Sequence, residues 1–72
     1  MRLISQDGRM NINYDLVHLS VDEFNGIWLI RAWDKLGGKT LCLATYPTKE
    51  EALREFELIM ARSSGNGKNF IL

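Results

Sequence analysis

Apolar and polar residues alternate on the N-terminal side of an Asn-Gly dipeptide, and a run of bulky apolar residues follows it. Residues 17–21 alternate with a period of two, while residues 27–34 contain four consecutive apolar side chains and two tryptophans. Asn25-Gly26 between two such runs is typical of a two-residue type I′ hairpin turn. We therefore predict a hairpin whose second strand is the central strand of a sheet.

The register of this hairpin depends on the turn. A two-residue loop would pair Phe24 with Ile27 and His18 with Trp33. A bulged turn at residues 23–26 would instead slip the register by one residue and exchange the two faces of the first strand. The local sequence leaves both registers open.

A second hairpin is predicted at the start of the chain. The first six residues are a short strand candidate that leads into Asp7-Gly8, and residues 10–16 alternate apolar with polar side chains. With a two-residue turn, Leu3 faces Ile12, and the apolar side chains of both strands share one face. The alternation then changes phase, and a bend or bulge near Asp15 would explain that change.

Residues 40–46 are predicted to add a strand to the Asn-Gly hairpin. The connection at residues 35–38 has either two or four loop residues. Both lengths place the same residues of the 40–46 strand on each face of the sheet. One face then carries the predicted core, which is Val17, Leu19, Val21, Trp28, Ile30, Ala32, Leu41 and Leu43. The other face is mixed in polarity and holds His18, Ser20, Asp22, Phe24, Ile27, Leu29, Arg31, Trp33, Thr40, Cys42, Ala44 and Tyr46.

A helix is predicted from about Lys49 to Arg62. Thr48 can cap its free backbone donors, and Glu51 stands three residues on as the capping-box partner. Leu58 lies opposite the apolar stripe of the helix, whose members recur at helical spacing and are Ala52, Leu53, Phe56, Ile59 and Met60.

These elements predict an α+β fold, an antiparallel β-meander of about five strands with one C-terminal α-helix packed on one face. We expect a single domain over residues 1–62 and a flexible or partner-docking tail over residues 63–72, where serine, glycine and asparagine dominate. One helix covers only one face of a sheet. The apolar residues left over, which we assign to an oligomer interface, are Leu58, Phe70, Ile71 and Leu72.

Size and charge narrow the classes of function. A chain of 72 residues has a marginal core, so oligomerisation or tight packing is expected. Nine Lys and Arg residues balance nine Asp and Glu residues, which does not favour nonspecific binding to nucleic acid or to an anionic membrane. No stretch is long and apolar enough for a membrane span or a signal peptide. We expect a cytoplasmic protein.

Catalysis and metal binding have little support in the sequence. Cys42 is the only cysteine and His18 the only histidine, so an intrachain disulfide and a Cys/His zinc cluster are both excluded. The two residues could form a nucleophile and base only across the central strand, and no third group orients the imidazole. A small buried Cys42 and a partly exposed His18 are the simpler interpretation. We predict no enzymatic activity and no cofactor or metal.

Binding is better supported, on the mixed face. The candidate ligand-binding or partner-binding residues, which combine an aromatic plane, a cation and hydrogen-bonding groups, are Arg31, Trp33, Tyr46, His18 and Ser20. The alternative is that Trp33 packs in a homodimer interface while Arg31 pairs with Asp22 diagonally across the strands.

Two segments carry a family resemblance. The opening Met-Arg-Leu-Ile-Ser-Gln-Asp-Gly at residues 1–8 and the later Leu-Ala-Thr-Tyr-Pro-Thr-Lys-Glu-Glu-Ala-Leu at residues 43–53 resemble small uncharacterised proteins of phages and mobile elements of Gram-positive bacteria. The resemblance implies no catalytic residues. It implies a setting in which small, often oligomeric proteins inhibit host defences, by binding a defence protein or by sequestering a nucleotide signal.

We therefore expect a non-enzymatic interaction protein that forms a homo-oligomer and binds a host protein in a counter-defence role. The alternative is a protein that binds or sequesters a nucleotide-like small molecule at subunit interfaces.

Overall fold

The structure, a computed structural model, describes residues 1–63 and 69–72. Its elements in chain order are β1 (Arg2–Ile4), β2 (Asn11–Asn13), a 3₁₀ turn (Tyr14–Leu16), β3 (Val17–Phe24), β4 (Ile27–Asp34), β5 (Thr40–Tyr46), α1 (Lys49–Ser63) and β6 (Asn69–Ile71). The predicted flexibility of the Ser-Gly-Asn segment concerns residues 64–68, which lie outside the described residues.

The β3-β4 hairpin has the register of the two-residue turn. Asn25 and Gly26 have φ angles of 52° and 79°, the left-handed values that a type I′ turn requires. Phe24 is paired with Ile27, and His18 with Trp33. The alternative bulged turn is thus excluded.

The β4-β5 pair contains an irregularity that the sequence did not predict. Arg31 is opposite Cys42, whereas Ile30 is opposite Ala44, so Leu43 is an extra residue in β5. Such a β-bulge reverses the parity of every residue that follows it. Ala44 and Tyr46 therefore lie on the core side, and their predicted place on the mixed face is wrong.

The fold class is α+β with one helix, as predicted, but the strands form two sheets instead of one meander of about five strands. The order in one sheet is β3-β4-β5 and in the other β2-β1-β6. Leu3 faces Ile12 in the second sheet, which confirms the predicted pairing of the first two strands. On its other side β1 pairs in parallel with β6, with Leu3 beside Phe70.

Helix α1 begins after Thr48, whose Oγ1 accepts a hydrogen bond from the Glu51 backbone N–H at 3.3 Å. This is the predicted cap. Ala52 and Ile59 of the predicted stripe are fully buried, while Leu58 on the opposite side is 49% exposed. The helix thereby covers the inner face of the β3-β4-β5 sheet and leaves the outer face uncovered.

The core joins both sheets to the helix. Its central cluster takes at least one residue from β1, β4, β5, α1 and β6, and consists of Leu3, Ile30, Ala32, Leu43, Ile59 and Phe70. The predicted core residue Leu41 is instead 40% exposed. The outer face of the β3-β4-β5 sheet therefore lies outside this core.

Candidate functional site

The outer face of the β3-β4-β5 sheet is the candidate functional site. The strand register places on it side chains from all three strands, namely His18, Ser20, Asp22 and Phe24 of β3, Ile27, Leu29, Arg31 and Trp33 of β4, and Thr40, Cys42 and Thr45 of β5. We call this set the outer face below.

A chain of polar contacts crosses the middle of the outer face. The Trp33 indole Nε1 donates to the Ser20 hydroxyl at 2.7 Å, and that hydroxyl donates to Asp22 Oδ2 at 2.7 Å. The same carboxylate oxygen lies 3.7 Å from the Arg31 Nε. The diagonal pairing of Arg31 with Asp22 is thus confirmed.

The hairpin end of the outer face is apolar and exposed. Phe24 is 62% exposed and its cross-strand partner Ile27 is 47% exposed, while Trp33 is 37% exposed further along β4. A cross-strand pair of large apolar side chains in water is unfavourable unless another surface covers it.

The structure brings together four of the five predicted binding residues. Arg31, Trp33, His18 and Ser20 lie on the outer face, with His18 opposite Trp33 and Ser20 opposite Arg31. Tyr46 is separated from them because the bulge turns it to the core side, opposite Trp28.

Tyr46 has an unusual environment on the core side. Its hydroxyl is buried and has no hydrogen-bond partner among the described residues. Burial of the ring, assisted by the nearby Glu55 carboxylate, raises the pKa of Tyr46 to about 12. The phenol is therefore neutral at any physiological pH.

His18 and Cys42 have separate neighbours. His18 is opposite Trp33 on β3, whereas Cys42 is opposite Arg31 on β5, so β4 lies between them. Cys42 is exposed, and the prediction that it is a small buried hydrophobe is wrong. Within residues 1–63 and 69–72, no group of three or more His, Cys, Asp and Glu residues could hold a metal ion.

The four residues predicted for an oligomer interface fall into two groups. Phe70 is 7% exposed within this chain's own core, and Leu72 packs against that core. Leu58 and Ile71 are exposed, the latter by 69%. The tail residues 69–72 are therefore largely part of the fold, which corrects the picture of a separate docking tail.

The sequence-based site omitted Phe24 and Ile27, the most exposed large residues of the outer face. The signal for them was present, because a two-residue turn at Asn25-Gly26 gives Phe24 the same parity as Ser20 and Asp22. Both residues were predicted to lie on the mixed face, but the candidate site was chosen for an aromatic plane beside a cation and hydrogen-bonding groups.

Comparisons of the chain with protein-family models, with curated proteins and with solved structures found no match. In the part of the chain that the structure describes, α1 is too short and too polar to cross a membrane.

Proposed function

We propose that the protein is a non-enzymatic interaction protein whose outer face binds the surface of another protein. The observation that carries the proposal is the exposed apolar pair Phe24 and Ile27 beside the prearranged Trp33, Ser20, Asp22 and Arg31 contacts. Tryptophan and arginine are enriched among the residues that dominate protein–protein binding energy, especially where neighbouring apolar groups exclude water.

A protein partner fits the outer face better than a nucleotide-like ligand does. Small ligands bind in concave pockets. Two hollows of about 360 and 330 Å³ include neither Arg31 nor Trp33 in their linings, although His18 lines the second. Tyr46 is absent from this face, and the Arg31 guanidinium already has a carboxylate partner in Asp22. The exposed apolar and polar groups that remain on the outer face suit contact with a flat protein surface.

The class of partner comes from the family resemblance. It favours a host defence protein met in the cytoplasm, as expected for small proteins of phages and mobile elements. Both Arg31 and Asp22 would contribute to selecting that partner. A protein that placed a like charge against either residue would bind more weakly.

The test compares capture of proteins from a bacterial lysate by three forms of the chain. Wild-type protein is compared with F24S/I27S, which removes the apolar pair, and with L36S, a matched control. Leu36 is 92% exposed in the β4-β5 connection, outside the outer face. We expect a set of proteins captured by the wild type and by L36S that is reduced at least about tenfold with F24S/I27S.

Equal capture by all three forms would reject the outer face as the binding surface. A thermal shift with a panel of nucleotides, lost in R31A, would favour the small-ligand alternative instead.

A further inference from the structure

Strand β3 forms an unpaired edge of its sheet. Its eight residues, Val17–Phe24, pair only with β4 among the strands that the structure describes. The opposite edge of the sheet, on β5, is partly occupied, since the Gln6 backbone and side chain bond to Leu43 and Thr45.

The β3 edge carries only part of the usual protection against pairing, namely the charged side chains of Asp22 and Glu23. It has no lysine, no proline and no register irregularity against β4. Natural proteins use such features to prevent edge strands from associating. An eight-residue edge without them is a template for another strand.

The hydrogen-bond phase of β3 is fixed by its contacts with β4. The Lys35 backbone N–H donates to the Leu16 carbonyl at 3.2 Å, and the two-residue turn joins Phe24 to Ile27. Because backbone groups of successive strand residues point to opposite sides, even-numbered residues face β4. The residues whose N–H and C=O groups face the open edge are Val17, Leu19, Val21 and Glu23.

We propose that β3 pairs with β3 of a second copy of this chain, antiparallel about a two-fold axis at Ser20, so that the two sheets become one six-stranded sheet. In this register Leu19 is opposite Val21 of the second copy, in a hydrogen-bonded pair. His18 is opposite Asp22 of the second copy, in a non-hydrogen-bonded pair whose side chains are closest.

Charge and polarity select this register over its neighbours. An axis at Val21 would place His18 opposite Phe24, and Leu19 opposite the Glu23 carboxylate. An axis at Leu19 would shorten the pairing and leave Asp22 without a basic group opposite it. The axis at Ser20 gives two imidazole–carboxylate contacts related by symmetry and pairs Leu19 with Val21 of the second copy on the core side, while Val17 is opposite Glu23 at each end.

A hollow beside the β3 edge has room for the second copy's side chains. Its volume is about 330 Å³, and its lining combines apolar and polar residues, which are Val17, Leu19, Phe56, Met60, Tyr14, Asp15, His18 and Lys35. Val21 of the second copy would enter it from the core side and cover Met60, which is 50% exposed. The pairing thereby buries apolar surface as well as satisfying backbone groups.

This dimer is independent of the proposed partner-binding function, since it uses the edge of the sheet and leaves the apolar pair Phe24 and Ile27 uncovered. Two outer faces would then lie side by side on one sheet, which would bind a two-fold symmetric partner with increased avidity.

The first test is a disulfide that reports the register. In the full chain, S20C/C42S places two cysteines opposite each other at the axis, at the Cα separation of a non-hydrogen-bonded pair, where a disulfide can form. F24C/C42S is the matched control, because Phe24 is on the same strand and face but far from the axis. On a non-reducing gel we expect S20C/C42S to run as a covalent dimer and F24C/C42S to run as a monomer.

The second test removes a backbone donor from the edge alone. E23P deletes an N–H that points away from β4, whereas E23A keeps it. Light scattering across a micromolar concentration series should show a wild-type dimer, an E23A dimer and an E23P dissociation constant raised at least about tenfold. The hairpin should remain folded in both variants by circular dichroism.

A wild-type protein that is monomeric throughout the series would overturn the proposal. So would an S20C/C42S protein that cross-links no faster than F24C/C42S, or an E23P dimer as tight as the wild-type dimer. Lysate capture that depends on Phe24 and Ile27 would persist in each of these cases, so the dimer and the partner-binding face can fail separately.

Discussion

At the scale of single residues, Ser5 is the buried polar group that closes the first hairpin. It is 1% exposed, and its hydroxyl donates to Asp7 Oδ1 at 2.6 Å while accepting the Met10 backbone N–H at 3.0 Å. This hydroxyl is the main reason that the pKa of Asp7 is lowered, and the Arg9 backbone N–H adds to the effect. The Ser5 hydroxyl thus joins Asp7 to Met10 across the turn.

We predict that S5A destabilises the protein by about 1–2 kcal/mol, because the Met10 N–H and the Asp7 carboxylate lose a buried partner. Urea unfolding followed by tryptophan fluorescence measures the effect. S63A is the control, since the Ser63 hydroxyl bonds to the Met60 carbonyl at the end of α1, and the effect of S63A should be within about 0.5 kcal/mol. Equal losses in both variants would contradict the role given to Ser5.

For Tyr46 we predict a substitution that stabilises the protein. Y46F removes a buried hydroxyl that has no hydrogen-bond partner within residues 1–63 and 69–72, so we expect stabilisation by about 1 kcal/mol at neutral pH. The pKa of this phenol is about 12 in the folded chain against 10.0 ordinarily, so the unfolded chain ionises first as pH rises. Wild-type stability should therefore fall further below that of Y46F from about pH 9 to about pH 11. Urea unfolding of both proteins over this range measures their free energies of unfolding. A difference between the two proteins that did not change with pH would show that the hydroxyl is solvated in the folded chain.

At the scale of elements, the bulge in β5 is held by Gln6. The Gln6 N–H donates to the Leu43 carbonyl at 2.8 Å, and its side-chain amide bonds to both backbone groups of Thr45 at 3.1 and 3.3 Å. Gln6 thus acts as a one-residue substitute for a paired strand along part of the β5 edge.

We predict that Q6A costs about 1 kcal/mol and increases hydrogen exchange at the Thr45 amide, because that N–H loses its acceptor. The Leu43 contact should survive, since it comes from the backbone of residue 6. Exchange at the Ala32 amide in β4 is the internal control. Unchanged protection at Thr45 would show that the side-chain amide is not what covers this edge.

The elements that were predicted correctly are those with local causes. Asn25-Gly26 specifies its turn from two residues, and Thr48 with the following glutamates specifies the start of α1. The bulge at Leu43 depends on Gln6, which is distant in sequence, so no pattern within residues 40–46 indicated it. The displacement of Tyr46 from the predicted binding residues follows from that single missed contact.

At the scale of the whole molecule, β6 joins the second sheet to the core. Phe70 is buried against the core cluster, its ring centroid lies 5.6 Å from the Arg62 guanidinium carbon, and the Leu72 N–H donates to the Ile4 carbonyl at 3.0 Å. The sequence predicted an apolar segment here but not its partner, because three strand residues carry no information about which edge they join.

We predict that F70A destabilises the protein by about 3–5 kcal/mol, the usual loss for a buried phenylalanine, and leaves a domain this small largely unfolded at room temperature. I71A is the matched control, since Ile71 is the next residue and is 69% exposed. Thermal unfolding by circular dichroism separates the two variants. An F70A protein that stayed folded and lost only its oligomeric state would instead support the prediction that the tail docks onto a partner.

The parallel pairing of β1 with β6 also determines when the chain can fold in a cell. A ribosome releases residues 2–4 well before residues 69–71, so the core around Leu3 stays open until α1 and β6 have been made. Folding therefore follows translation of this sequence instead of accompanying it. A product that stops within the helix exposes Leu3 and Ile59 to chaperones and proteases.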